Sequence, residues 1–248
     1  MHTLIRTEVL KLRTVRSPWL LLAAAPLLVI AGISGLVLSS PGKLPQAGTQ
    51  ADALAHVGLT SLFTIVFGIL AVAGEYRHKT ITDTYLSTPA RGRVIAAKLV
   101  VYAACGAASG VLASLVGLVT AAAWWSDKGV AFSWGNSAMW RTIGGGIAWN
   151  AAFAAIGVGL GALIRSLVGA IATALAWIAL VEGIVGQLIG NFARWLPFNA
   201  GQALGAGTKA MTTSQSLLPR LGGGAVLAVY TLAFVVLAVT TSMRRDVS

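Results

Sequence analysis

Six stretches of this chain are each long and apolar enough to cross a lipid bilayer as a single α-helix. A transmembrane helix needs about 20 predominantly apolar residues. None of the stretches alternates polar and apolar residues as the strands of a membrane β-barrel do. The sequence therefore predicts an all-α integral membrane fold, with one transmembrane domain over residues 1–248. The predicted spans are residues 18–39, 54–74, 99–125, 142–164, 167–190 and 221–243.

The composition agrees with lipid as the solvent for most of the chain. Hydrophobic residues make up 56% of the 248 residues and charged residues 10%, with a mean hydropathy of +0.81. Soluble domains are about 45–50% apolar and about 25% charged. Six spans with short loops use up this length, so no sizeable soluble domain is expected. The first apolar run is long enough to span, and we interpret it as a retained helix rather than a signal peptide.

The basic residues predict how the spans are oriented. Of the 18 Lys and Arg, 12 fall on one side of the predicted bundle, in the N-terminal segment, the loop after the second span, the turn at Arg165 and the C-terminal end. Lys and Arg are enriched in cytoplasmic loops. We therefore expect both termini in the cytoplasm. The same enrichment accounts for the net charge of +11, so the expected partner of this charge is the bilayer and not nucleic acid.

The N-terminal segment, residues 1–17, is predicted to be an amphipathic helix that lies along the inner membrane surface. Ile5, Val9 and Leu12 share one helical stripe, and basic residues lie on the other side. Glu8 interrupts this apolar stripe. The alternative interpretation is a solvated basic tail that only fixes the topology.

The cytoplasmic loop at residues 75–93 is predicted to contain a short helix of its own, at about 81–88. Thr80 and Asp83 have the spacing of a capping box, with Asp in the place of the usual Glu or Gln. Pro89 disfavours helical geometry at the residue before it and ends the helix. The pattern indicates a rigid rod held between two membrane helices by charged hinges.

The predicted short helix also carries an apolar face. Ile81 and Tyr85 are four residues apart and lie on the same side of a helix. The alternative is a stop-transfer loop with an incidental helical turn. A topology signal, however, needs only positive charge, and does not need a capped rod with an aromatic–aliphatic face.

Three segments of the chain resemble the ABC-2 type transporter permeases. The most specific is Gly-Glu-Tyr-Arg-x-x-Thr-Ile at 74–81, followed by Pro89-x-Arg91 and by Lys98 at the start of the next span; it looks like the intracellular coupling segment of that family. The opening at 8–19, Glu-x-x-Lys-Leu-Arg-Thr-x-Arg-Ser-x-Trp, is similar to the family's amphipathic entry helix. Leu-Pro-Phe-Asn at 196–199 resembles its outer re-entrant region, here predicted at 191–220.

The resemblance implies a subunit of an exporter in a bacterial plasma membrane. Two such permeases, alike or different, pair with two cytoplasmic ATPase subunits that bind ATP and Mg. The expected cargo is a hydrophobic or amphiphilic molecule such as a drug, an antibiotic or a lipid. The short helix would dock on the ATPase, and Glu75 and Arg77 would brace its base. The coupling residues implied are Glu75, Tyr76, Arg77, Thr80, Ile81, Asp83, Tyr85, Pro89 and Arg91.

Motifs for chemistry on this chain were sought and not found. The sequence has no Gly-x-x-x-x-Gly-Lys-[Ser/Thr] phosphate-binding loop, so the energy source is expected on a separate chain. Its three histidines are too scattered for a zinc motif. We therefore predict neither an enzyme nor a bound metal.

A stripe of mixed aromatic and hydroxyl character runs along the second span. In the family resembled, the second and fifth spans line the path between the two permeases, so we hypothesise that this stripe faces the substrate path. Ordinary packing between helices is the alternative. The stripe consists of His56, Thr60, Phe63, Thr64 and Phe67.

Glu182 is the only acidic residue within the predicted spans. A charge at the centre of a membrane helix costs about 2.5–3.5 kcal/mol, which favours a functional or pairing role. The alternative is a position near the outer face, with the helix bent around Gly183 and Gly186. Trp177 is a second candidate for the substrate path in the same span.

Two other function classes stay open at the level of sequence. A stand-alone secondary transporter or channel would need a coupling-ion site, and the spans show no acidic cluster or inverted repeat. A membrane enzyme would need a nucleophile and its base, and Ser34 in Gly-Ile-Ser-Gly has no His in a later span. Co-purification of an ATPase would separate these classes.

Overall fold

The described part of the chain is almost entirely helical and contains no strand. The structure is a computed structural model, and it describes residues 1–14, 17–46, 48–88, 90–205 and 217–244. A π-helical segment, Trp177–Val185, joins α9 to α10. The α-helices are α1 (His2–Thr14), α2 (Ser17–Ser39), α3 (Thr49–Leu54), α4 (His56–Leu59), α5 (Ser61–Arg77), α6 (Ile81–Ser87), α7 (Arg91–Asp127), α8 (Ser137–Ile164), α9 (Leu167–Ala176), α10 (Gly186–Leu188), α11 (Pro197–Gly205) and α12 (Arg220–Arg244).

Six helical runs among the described residues are long and apolar enough to cross a membrane, as the sequence predicts. Successive helices α3, α4 and α5 make up the second run, and α9 with the π-helical segment makes up the fifth. Large apolar side chains on the outside of the bundle are more than half exposed, which suits hydrocarbon better than water. These include Leu20, Leu27, Val119, Val168, Leu221 and Leu232. The runs are Leu20–Ser39, Thr49–Arg77, Arg91–Asp127, Ser137–Ile164, Leu167–Ile184 and Arg220–Thr241.

Three of the predicted spans start too late. The second helical run begins at Thr49 instead of residue 54, α7 begins at Arg91 instead of residue 99, and α8 begins at Ser137 instead of residue 142. Hydropathy falls at charged residues, whereas the helix continues through them. The start of α8 is fixed by the side chain of Asn136, which accepts hydrogen bonds from the backbone N–H groups of Ala138 and Met139.

The centre of the bundle is the packing of α5 against α8. In the second and fourth runs, which contain α5 and α8, 67% and 61% of the most apolar 18-residue stretch is buried inside the chain. The corresponding share is 17–22% in the first, fifth and sixth runs. Glycines make the approach close: a Cβ on Gly68 would collide with the carbonyl oxygen of Ala154, and one on Gly157 with that of Ile65. Small residues at such crossings are typical of membrane helices.

Candidate functional site

The short helix α6 packs on the chain's own helices through its predicted apolar face. Ile81 and Tyr85 are 3% and 9% exposed, and they contact Val94 of α7 and Tyr76 of α5. In this structure the apolar face is therefore covered by the chain itself. Their burial lowers the free energy of α6 in this position, because each removes apolar surface from water.

The exposed side of α6 is formed by other residues. Thr82 and Asp83 are exposed, and Leu86 is 76% exposed. The predicted capping box is also wrong. Thr80 has φ −86° and ψ −8° and makes no side-chain capping bond, because a capping side chain needs extended backbone at that residue.

Beside α6 lies a charge cluster formed by Glu8, Lys11, Glu75 and Lys98. The Nζ of Lys98 lies 2.9 Å from Oε2 of Glu8 and 2.7 Å from Oε1 of Glu75. The Nζ of Lys11 lies 2.7 Å from the same Glu75 oxygen and 3.2 Å from Oε1 of Glu8. Two cations and two anions therefore balance, and they join α1, the last turn of α5 and the second turn of α7.

Lys98 is the buried centre of this charge cluster. Its side chain is 1% exposed, and its ammonium donates to both carboxylates and to the backbone carbonyl of Ala71 at 2.9 Å. An ammonium has three protons, so all of its donors are used. Of the two residues predicted to brace the base of the short helix, Glu75 pairs with the two lysines, whereas Arg77 is exposed.

Lys11 connects the charge cluster to α6. Its Nζ lies 3.4 Å from the hydroxyl oxygen of Thr84. Burial by itself lowers the pKa of Lys11, but the hydrogen bond from its ammonium to Glu75 and the charges of Glu8 and Glu75 outweigh that effect and hold the pKa above its ordinary value. The contact with α6 is therefore made by a cation at neutral pH.

The buried face of the N-terminal helix α1 includes Ile5 and Leu12 of the predicted stripe, but Glu8 takes the place of Val9. Glu8 and Leu12 are 3% and 7% exposed, and Ile5 packs beside Leu12 against the bundle, whereas Val9 is 41% exposed. Ile5, Glu8 and Leu12 lie at i, i+3 and i+7, so a carboxylate replaces an apolar residue on the buried face. Lys98 is the reason, because it supplies the partner that makes burial of Glu8 tolerable.

Two arginines lie over the tyrosines at the base of α6. The guanidinium carbon of Arg91 is 5.2 Å from the centre of the Tyr85 ring, and that of Arg165 is 5.3 Å from the centre of the Tyr76 ring. Each is within the range of a cation–π interaction. Burial is the main cause that raises the pKa of Tyr85, and the neighbouring Tyr76 raises it further. The Tyr85 hydroxyl therefore stays neutral.

Pro89, the remaining residue of the predicted coupling set, lies outside the described residues.

The stripe predicted to face a substrate path is mostly buried inside the chain. Thr60 and Thr64 have no exposed surface, and both face Asn150 of α8. The Thr60 hydroxyl lies 2.9 Å from Oδ1 of Asn150, and the Thr64 hydroxyl donates to the Asn150 backbone carbonyl at 3.0 Å. The amide of Asn150 donates back to the Val57 carbonyl at 3.1 Å. These polar contacts hold α5 to α8, so the substrate-path hypothesis is wrong for the two threonines.

The aromatic members of that stripe also serve packing. Phe67 is 1% exposed, and its ring lies 4.9 Å from that of Tyr102. His56 is half-buried, with Nδ1 2.8 Å from the carbonyl oxygen of Ala53, and its ring lies against Gly32 of α2. Phe63 is half-buried.

Glu182 is buried, and its carboxylate caps another helix. It accepts hydrogen bonds from the backbone N–H groups of Phe198 and Asn199, both at 2.9 Å, in the first turn of α11. The Asn199 side-chain amide at 3.3 Å and the Trp177 indole N–H at 3.2 Å complete the set. The N-terminal N–H groups of a helix have no partner within it and favour a negative charge. The pairing role of Glu182 is thus with α11.

The outer segment predicted at 191–220 is partly described. A 3₁₀-helical stretch, Gly190–Trp195, leads into α11, which packs against α8 and α12. Nearly all of α11 is buried, and Gly201 lies against the indole of Trp149. Backbone polar groups at membrane depth must be satisfied within the protein, and Glu182 does this for the start of α11. Residues 206–216 lie outside the described residues.

The sequence contains a signal for the charge cluster, although the patterns analysed above did not predict it. Glu8 stands alone in an apolar stripe, and Lys98 stands alone in an apolar stretch, with opposite charges. Among the described residues there is no group of three or more His, Cys, Asp or Glu that could hold a metal ion.

No protein-family model matches this chain, and no curated protein sequence matches it.

Proposed function

We propose that this chain is the membrane-spanning permease subunit of an ABC-2 type, ATP-driven exporter of hydrophobic or amphiphilic molecules. The observation that supports it best is the attachment of α6 to the bundle. An exposed short helix is held by buried apolar contacts to α7 and by Lys11 to a charge cluster that joins α1, α5 and α7. This arrangement suits a lever that another protein moves.

The charge cluster stiffens the base on which α6 rests. Buried ion pairs resist separation, because parting them leaves charges unpaired in a medium of low dielectric constant. Apolar contacts alone would allow α6 to slide along α7. A push on the exposed face of α6 is therefore passed to the last turn of α5 through Glu75 and to α7 through Lys98. Those two helices then move together.

The partner in this proposal is a cytoplasmic ATPase. Two ATPase subunits would close on binding ATP and Mg, and two permeases, alike or different, would enclose the path in the plasma membrane. Leu86 is the main apolar side chain on the exposed face of α6. We therefore assign the contact with the ATPase to Leu86 and its neighbours, in place of Ile81 and Tyr85.

The test is purification of the tagged chain in mild detergent from the membranes of the organism that makes it, followed by measurement of vanadate-sensitive ATP hydrolysis. The wild-type chain should carry an ATPase, and Leu86→Asp should lose it. Leu188→Asp is the matched control, since Leu188 is 81% exposed at the end of α10, and it should retain hydrolysis. Absence of hydrolysis with the wild type would instead favour a stand-alone transporter or channel. Equal hydrolysis with both variants would remove α6 from the contact.

A further inference from the structure

An apolar cavity of about 150 Å³ lies among α5, α8, α9, the π-helical segment, α11 and α12. Its lining shares no residue with the charge cluster or with the polar contacts of Asn150. The wall of the cavity is formed by apolar atoms of its lining residues. The residues that define it are Ile65, Phe153, Ile156, Leu160, Ala174 and Phe234.

The size and lining of the cavity select what can fill it. Cavities of this volume lined by Leu, Ile and Phe side chains bind benzene or xenon, and Leu, Ile and Phe side chains form most of this wall. The rings of Phe153 and Phe234 offer aromatic edges and faces to a second ring. A neutral apolar group of about the size of a benzene ring is therefore the matching ligand.

Glu182 is at the edge of the cavity, and it does not make the site attractive for a cation. A carboxylate has about four lone-pair positions. Phe198, Asn199 and Trp177 supply four hydrogen bonds to this carboxylate. A positively charged ligand would have to displace one of these donors and lose its own hydration, so the site favours uncharged groups.

The cavity has an opening on the outside of the bundle. Two residues of its lining, Thr173 and Trp177, are exposed, and Tyr230 is half-buried. A ligand can therefore enter from the surroundings of α9 without unfolding of the core. In a membrane, those surroundings are hydrocarbon.

We propose that this cavity is a binding site for a neutral apolar group, supplied either by a small hydrophobic molecule or by a lipid acyl chain. The proposal is independent of the assignment as an ABC-2 permease, because it depends only on the lining and volume of the cavity. It assigns a role in ligand binding to Ile156, Leu160 and Ala174.

The test uses two photoreactive probes on the purified full chain in lipid nanodiscs: trifluoromethyl-phenyl-diazirine, and a phosphatidylcholine with a diazirine in its acyl chain. Labelled peptides are identified by mass spectrometry. Ala174→Leu places an isobutyl group in the cavity and should reduce labelling of the lining severalfold. Ala172→Leu is the matched control, because Ala172 is exposed on the same helix, and labelling should be unchanged.

A second variant keeps the test valid if Ala174→Leu does not fold. Leu160→Ala enlarges the cavity and should increase labelling. Benzene should compete with the phenyl probe, and benzylammonium should not. Labelling by the acyl-chain probe identifies a lipid as the occupant, and labelling by the phenyl probe alone identifies a free molecule; either result supports the site. Equal labelling of wild type, Ala174→Leu and Leu160→Ala, or equal competition by benzylammonium, would overturn it.

Discussion

The ammonium of Lys98 lies 2.7 Å from the carboxylate of Glu75, so the second turn of α7 is bonded to the last turn of α5. The loop between these turns carries α6, and the bond therefore closes the two ends of that loop at its base. Glu8 of α1 occupies the other side of the same ammonium. The geometry of this end of the bundle thus depends on one buried lysine.

Replacement of Lys98 by Met should strongly destabilise the chain. Breaking a buried ion pair from one side costs about 3–5 kcal/mol, because the remaining charges stay buried without partners. The free energy of unfolding can be measured by denaturant titration in detergent micelles. Lys128→Met is the control, since the Lys128–Asp127 pair is 36% and 61% exposed and exposed pairs contribute about 0–1 kcal/mol. Equal effects of the two substitutions would show that the charge cluster does not stabilise the fold.

Thr60 and Asn150 should be energetically coupled across the contact between α5 and α8. A double-mutant cycle with Thr60→Val and Asn150→Ala should give a coupling energy of about 0.6–1.7 kcal/mol, the range for hydrogen bonds between membrane helices. The control cycle pairs Asn150→Ala with Thr120→Val, because the Thr120 hydroxyl bonds within its own helix to Val116. That cycle should give a coupling close to zero. A zero value for both cycles would contradict the assigned contact.

Glu182→Gln should loosen α11 without unfolding the bundle. The substituted amide has one acceptor oxygen, so the N–H groups of Phe198 and Asn199 can no longer both be satisfied by this side chain. Amide hydrogen exchange in residues 197–205 should become faster and should change little in α8. Asp127→Asn, at an exposed carboxylate, should leave both unchanged. Unaltered exchange in α11 would mean that its position does not depend on the cap.

Lys11 should give the fold a dependence on alkaline pH. Its pKa is raised above the ordinary value of 10.5 in the folded chain. A raised pKa contributes stability that is fully present below the unfolded-state pKa and is lost as pH rises through the folded-state value. The difference in melting temperature between wild type and Lys11→Met should therefore be constant up to about pH 9.5 and decrease above pH 10.5. A constant difference throughout would contradict the pairing of Lys11.

Much of the fold was predictable, because the length and hydropathy of the spans reflect the thickness of a bilayer. The short helix between the second and third spans also lies where its sequence pattern places it, at Ile81–Ser87. Its orientation was not predictable. Ile81 and Tyr85 are apolar enough for either a partner or the chain's own α7, and only the path of the neighbouring helices decides between them.

The partners of the charged and polar residues were the least predictable part. Glu8 and Lys98 are 90 residues apart, as are Thr60 and Asn150. Such pairs depend on how the helices cross, which hydropathy does not contain. The stripe on the second span was therefore compatible with a substrate path or with helix packing, and the facing Asn150 decides for packing at Thr60 and Thr64.

The cap that Glu182 places on α11 has a consequence for the order of membrane assembly. The fifth run is synthesised before α11, so Glu182 enters the membrane while its main partners do not yet exist. Three of the four hydrogen bonds to its carboxylate come from Phe198 and Asn199, and only the Trp177 indole belongs to the same run. The fifth helix therefore gains its final hydrogen bonds only when the segment after it folds back onto it.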